Sequence, residues 1–187
     1  NQLLEPLAPA VAAAAIGSLV WVYHRGLARG SSEAIRQGSR LVTSGVALVA
    51  AASGIGVIVN AALAMAANPL AGSGARTLLL GGISSLLVGG VVWWFAWKPL
   101  ERTPAVTPGP AGDTGNWQNA RRIYLIVVFG LSAVVAVITL LVIGYRMFEY
   151  FLGDISGGSV VDRIRAPLGL LVATGLVAGY HLAVWRH

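Results

Sequence analysis

Few side chains in this chain of 187 residues have the chemistry of a catalytic or ligand-binding group. His24 and His181 stand beside apolar runs, where a histidine can ligate haem iron or a chlorophyll magnesium. His181 is the better ligand candidate, since the residues around it are small: Ala178, Gly179 and Ala183. Both histidines can instead anchor a helix at a membrane boundary or form a hydrogen bond between helices. We favour this second role and keep a haem or chlorophyll ligand as an alternative.

Asn60 is the most polar side chain deep within an apolar run. Polar groups inside a bilayer often mark a transport path, but asparagine also joins helices by hydrogen bonds, and we favour the packing role. No Asp, Glu, Lys or Arg stands in the middle of any apolar run, which argues against ion-coupled transport. There is no metalloprotease motif, no Ser/His/Asp set and no cysteine, so neither an enzyme nor a metal site is predicted.

The composition indicates that lipid is the solvent for most of the chain. Hydrophobic residues make up 56% of it and charged residues only 11%, against about 25% charged in a soluble domain. The 13 basic and 7 acidic residues give a formal net charge of +6. The basic residues stand between apolar runs, where they set membrane topology, so no nucleic-acid partner is predicted.

Five uncharged runs predict an all-α, polytopic membrane protein with five transmembrane helices. Each run reaches or approaches the roughly 17–25 residues that a spanning helix needs. The predicted spans are 7–24, 41–67, 77–97, 123–146 and 166–185. The Pro/Gly-rich segment 99–117 is predicted to be a flexible linker.

The distribution of basic residues predicts the orientation. With the first span running inward, nine basic residues fall on the inner side and four on the outer side. This bias places the N-terminus outside and the C-terminus in the cytoplasm. All six tryptophans fall on the inner side, and the predicted interface anchors are Trp21, Trp93, Trp94, Trp97, Trp185, Arg25, Arg121 and Arg122.

Small residues are numerous within the spans and predict close helix packing, because glycine lets two backbones approach. The candidates, together with Asn60, are Gly54, Gly56, Gly81, Gly82, Gly89, Gly90, Gly169, Gly175 and Gly179. The paired glycines at 81–82 and 89–90 are eight residues apart, which puts them on nearly one face of their helix.

An internal repeat is also indicated. Residues 17–25, 89–97 and 178–186 each pass from small through apolar to aromatic residues, and 36–42 and 118–125 begin alike. Any helix that enters the cytoplasm can end in aromatic and basic residues, so this similarity has a second explanation. Taken as repetition, it predicts parallel helix pairs. The pairs are 1–75, 76–160 and the first helix of a third pair in 161–187.

The chain resembles a repeated bacterial membrane domain of unknown function. The residues that carry this resemblance are Trp-Val-Tyr-His-Arg at 21–25, Ala-Arg-Arg-Ile-Tyr-Leu at 120–125 and the stretch 165–181. The resemblance implies a multi-pass protein of the bacterial inner membrane and carries over no catalytic residue.

These observations favour a non-catalytic integral membrane subunit, an accessory or scaffold component of a larger membrane protein complex. The expected partners are the lipid bilayer, with lipids bound, and other membrane protein subunits. A small transporter or channel is the first alternative, and a subunit that binds haem or chlorophyll through His181, with His24 as the other candidate ligand, is the second.

Overall fold

The computed structural model describes residues 15–17, 19–20, 22–23, 26, 30, 32–67, 73–101, 113–153 and 159–186. These residues contain four long helices and no strand. The helices are α1 (Glu33–Ala67), α2 (Ser73–Glu101), α3 (Asp113–Leu152) and α4 (Val160–Arg186). The chain divides into two compact units, 1–39 and 40–187. In the first unit, 15–17, 19–20 and 22–23 are helical; the account below concerns the second unit.

Each of the four helices is long and apolar enough to cross a membrane. The apolar segments are Ile35–Ala67, Gly74–Pro99, Asn119–Leu152 and Val160–Arg186. Large aliphatic and aromatic side chains cover the outside, whereas most of the buried apolar residues are alanines. Such a surface requires lipid around it, so the chain is a multi-pass membrane protein. Four of the five predicted spans are confirmed as helices; the other, 7–24, lies outside the described residues except for a few helical positions.

The segment 99–117, predicted to be a flexible linker, overlaps a helix at each end. α2 continues to Glu101 and α3 begins at Asp113. Pro99 stands near the end of α2, where the helix has only two more residues to run.

Helices α1 and α2 are antiparallel and pack through glycines. A Cβ added at Gly54 would lie 2.5 Å from the Leu86 nitrogen, and one added at Gly89 would lie 2.5 Å from the Ala51 nitrogen. Ser85, next to Leu86 in α2, donates its hydroxyl to the carbonyl oxygen of Ala50 at 2.8 Å. Because lipid tails are as apolar as the helices, such backbone contact is a main source of helix association.

Helix α4 packs antiparallel to both α1 and α3. At its contact with α1, a Cβ on Gly169 would overlap the carbonyl oxygen of Gly56. Its contact with α3 includes a hydrogen bond from Arg146 Nη1 to the carbonyl oxygen of Arg163, at 3.2 Å. Pro167 has no N–H to donate to that carbonyl, four residues earlier. Arg146 therefore provides a donor that the helix itself does not.

The first turn of α4 is capped by the Ser159 hydroxyl. The Ser159 hydroxyl lies 3.2 Å from the Asp162 backbone N–H, which donates to it, and 2.9 Å from the Asp162 carboxylate, to which it donates. The hydroxyl therefore accepts from one of the amides that a helix leaves unpaired at its first turn, as an N-cap serine does.

Candidate functional site

At one end of the bundle, all four helices contribute to a cluster of polar aromatic side chains. We call it the aromatic end and define it by Ser44 of α1, Trp97 of α2, Tyr124 of α3, and Tyr180 and His181 of α4. Trp97 is only 1% exposed and stacks on Tyr124, with ring centroids 5.2 Å apart. Its Nε1–H donates to the Tyr180 hydroxyl at 2.9 Å. Trp97 therefore joins α2 to both α3 and α4.

His181 lies at the centre of the aromatic end and is 1% exposed. Its Nδ1 lies 2.8 Å from the carbonyl oxygen of Val177, one turn earlier in α4. A carbonyl only accepts, so Nδ1 carries the proton, and in the neutral ring Nε2 is an acceptor. The ring contacts Trp97, Tyr124 and Tyr180, with centroid distances of 5.9, 6.2 and 5.2 Å.

Two further contacts occur at the aromatic end. The hydroxyls of Ser44 and Tyr124 share a hydrogen bond of 3.0 Å, which links α1 to α3. Trp93 meets Tyr180 edge to face at 5.2 Å. Within the described part of the chain, the buried Trp93 Nε1 and His181 Nε2 have no hydrogen-bond partner. The aromatic end therefore contains one N–H donor, on Trp93, and one ring-nitrogen acceptor, on His181, that form no hydrogen bond with the described residues.

The structure separates the predicted interface anchors into two groups. Trp97, one of the predicted anchors, is 1% exposed and lies between helices. Trp94 and Trp185 are each 51% exposed, as an anchor would be. The Lys98 ammonium lies 4.6 Å from the Trp94 ring centroid, within the range of a cation–π interaction. Two other predicted anchors, Trp21 and Arg25, and the second histidine candidate His24 lie outside the described residues.

The candidate packing glycines also separate into two groups. Gly54, Gly56, Gly82, Gly89 and Gly169 lie against the backbone of a neighbouring helix. At the other four, an added Cβ would meet nothing within 4 Å; these are Gly81, Gly90, Gly175 and Gly179. Each predicted glycine pair of α2 therefore has one member in the contact with α1 and one facing away.

An apolar groove of about 1000 Å³ runs between α1 and α3, with α4 as its floor. Its lining extends along α1 from Leu41 to Asn60 and along α3 from Ala120 to Val135. At 1.5 Å per residue these stretches are roughly 28 Å and 22 Å long. The groove begins at the aromatic end, where Tyr124 lines it, and continues through most of the depth of a bilayer.

Asn60 lines the far end of this groove and lies beside the α1–α4 contact, near Gly169. Its Oδ1 is buried and has no hydrogen-bond partner among the described residues. A buried acceptor without a donor costs about 1–3 kcal/mol. Within this part of the chain, the Asn60 side-chain carbonyl oxygen therefore takes no part in a hydrogen bond between helices.

No group of three or more His, Cys, Asp or Glu side chains that could hold a metal occurs in the described ranges. His181 Nε2 has the lone pair that an axial ligand needs, but the ring is enclosed by three aromatic side chains. A macrocycle at this nitrogen requires those side chains to move. The haem or chlorophyll alternative stays a prediction.

The fold, the aromatic end and the apolar groove define a class of protein. It is a multi-pass helical membrane protein whose helices meet through small residues. Comparison with protein families places it more closely. The family described as a domain of unknown function, DUF5671, matches residues 38–176, which is 139 of the 187 residues. The chain belongs to this family, in agreement with the expectation of an uncharacterised domain. No curated protein and no solved structure matches the chain.

Proposed function

We propose that this chain is a non-catalytic integral membrane subunit, an accessory or scaffold component of a larger membrane protein complex. The observation that carries the proposal is a face of α4 that has small residues and no neighbour in the described bundle. Gly175, Gly179 and Ala183 recur every four residues and are all exposed. An added Cβ would meet no atom within 4 Å at either glycine.

Small residues at this spacing let a second helix approach closely, which is how many transmembrane helices associate. The chain already uses glycine in this way, since Gly169 of the same helix lies against Gly56 of α1. The exposed face of α4 begins at Gly175, six residues after Gly169. This face supports docking of a helix from another subunit through apolar contacts, and it requires no catalytic group.

The test replaces Gly175 by leucine in the full chain, purified in mild detergent from its native membrane. We expect the complex to be lost, with at least about a tenfold fall in co-purified partner, because overpacking a helix contact costs on the order of 1–3 kcal/mol. Gly130→Leu is the matched control, since Gly130 of α3 also has nothing within 4 Å of an added Cβ. A wild-type chain that purifies as a monomer without partners would contradict the proposal.

We also propose the finer topology: a fifth span at 7–24, parallel helix pairs, and insertion in the bacterial inner membrane with the N-terminus outside. The nine-to-four bias of basic residues supports this orientation. The chain has no cysteine, so a maleimide can label only the cysteine that is introduced. Ser31→Cys and Thr107→Cys should escape an impermeant maleimide in intact cells, whereas Ser156→Cys should react. Labelling at 31 and 107 with protection at 156 would reverse the orientation.

A further inference from the structure

We infer that the half of the groove next to the aromatic end binds an acyl chain of an anionic phospholipid, whose phosphate is held by Arg121. This site is separate from the exposed face of α4 and does not depend on the proposed complex. The groove itself, the depth of its apolar half and the charge at its mouth each support the inference.

The groove has two halves of different character. Near the aromatic end its walls are formed by apolar residues such as Leu41, Leu48, Ile123 and Val127, and the one polar side chain there, Tyr124, is paired with Ser44. In the far half, four polar residues enter the lining: Ser53, Asn60, Ser132 and Thr174. The Ser132 and Thr174 hydroxyls donate to carbonyl oxygens of their own helices, but the Asn60 Oδ1 has no partner among the described residues. A hydrocarbon chain fits the first half and offers Asn60 no donor in the second.

The depth of the apolar half matches one leaflet. From Leu41 to Ala52, the last apolar position of α1 before Ser53, the helix rises roughly 16 Å at 1.5 Å per residue. Half of a hydrocarbon core of about 30 Å is about 15 Å. A transmembrane helix would instead follow the whole groove, past its polar half. The length of the apolar half therefore favours a lipid chain that enters from the boundary and ends near the midplane.

The mouth of the groove has the charge that a phosphate requires. Arg121 follows Ala120, the first lining residue of α3, and its buried Nε–H has no partner in the part of the chain that the structure describes. Arg40, which precedes Leu41 at the start of the α1 lining, and Arg122 are exposed. By sequence, 24–40 and 98–122 contain eight basic and three acidic residues.

A guanidinium can donate two hydrogen bonds to two oxygens of one phosphate. These charge-assisted hydrogen bonds are about twice as strong as hydrogen bonds between neutral groups. A lipid phosphate lies at the boundary that Arg121 occupies, one residue from the start of the apolar wall. Because the acyl chain and the headgroup bind together, the site should distinguish an anionic lipid from a zwitterionic lipid with the same chains.

The headgroup is tested with the full chain reconstituted in vesicles that contain spin-labelled phosphatidylglycerol or spin-labelled phosphatidylcholine. The motionally restricted fraction of each label gives the relative association constant. We expect phosphatidylglycerol to be preferred by about fivefold, the effect of one basic residue near a membrane surface. Arg121→Gln should reduce this ratio to near one, and Arg121→Lys should retain part of it. Arg122→Gln, the same change of charge one residue on, should leave it intact.

The groove is tested with a matched pair on α1. Val49 lines the apolar half and is 64% exposed, whereas Val46 is 68% exposed and lies outside the lining. Val49→Trp should lower the number of restricted lipids per chain, and Val46→Trp should not. Size-exclusion profiles and helical circular dichroism show whether each variant remains folded.

Four results would overturn the inference. Equal losses of selectivity in Arg121→Gln and Arg122→Gln would mean diffuse surface attraction. Loss of selectivity on adding inorganic phosphate, with the restricted number of lipids unchanged, would mean a site for the free anion. A change of oligomeric size in Val49→Trp without a change in lipid binding would make the groove a helix interface. A wild-type ratio near one would exclude the site altogether.

Discussion

Replacing Trp97 by alanine is expected to destabilise the bundle more than any other single change at the aromatic end. The side chain is buried, stacks on Tyr124 and donates to Tyr180, so its removal opens a cavity where three helices meet. Truncating a buried tryptophan costs about 3–5 kcal/mol. Denaturant titration in mixed micelles, followed by circular dichroism, measures the change in the free energy of unfolding.

Two variants separate packing from hydrogen bonding at this position. Trp97→Phe keeps an aromatic ring but removes the donor to Tyr180, so we expect a loss of about 0.5–1.5 kcal/mol for the missing hydrogen bond, plus a smaller cavity term. Trp94→Ala is the matched control, because Trp94 is half exposed and its cation–π contact with Lys98 is worth about 0.5–1 kcal/mol. Similar losses for Trp94→Ala and Trp97→Ala would show that Trp97 does not hold the helices together.

The membrane spans could be predicted from the sequence because the constraint is local. A run of some twenty uncharged residues must be helical in lipid, since every backbone group needs an internal partner. The ends of the helices are harder to predict, because hydropathy marks where the apolar segment ends and not where the helix ends. The predicted linker 99–117 therefore includes Glu101 and Asp113, which belong to α2 and α3.

The aromatic end could not be predicted, because burial of a tryptophan at a helix end depends on which way the helix faces. Trp94 and Trp97 stand three residues apart in the same boundary region, yet one faces outward and the other fills the bundle. Likewise, the sequence shows Pro167 but not the distant Arg146 that donates to the carbonyl oxygen of Arg163. Contacts between residues 17 to 83 positions apart leave no local pattern.

Gly89 and Gly90 of α2 offer the sharpest test of the helix packing. They are adjacent in sequence, but Gly89 faces α1 and Gly90 faces away from it. A Cβ at Gly89 would lie 2.5 Å from the nitrogen of Ala51 and 2.9 Å from the carbonyl oxygen of Ala47, both backbone atoms that cannot turn aside. Gly89→Ala must therefore push α1 and α2 apart. We expect a loss of about 1–3 kcal/mol in the free energy of unfolding, as for other overpacked contacts.

Gly90→Ala is the control within the same turn, because an added Cβ there meets nothing within 4 Å. Alanine is a better helix former than glycine by up to about 1 kcal/mol, so this variant should be neutral or slightly more stable. The same unfolding titration measures both variants, and the sign of the difference between them is the result that matters. If Gly90→Ala proved the more damaging of the two, α2 would have to turn its other face towards α1, and the packing described for these helices would be wrong.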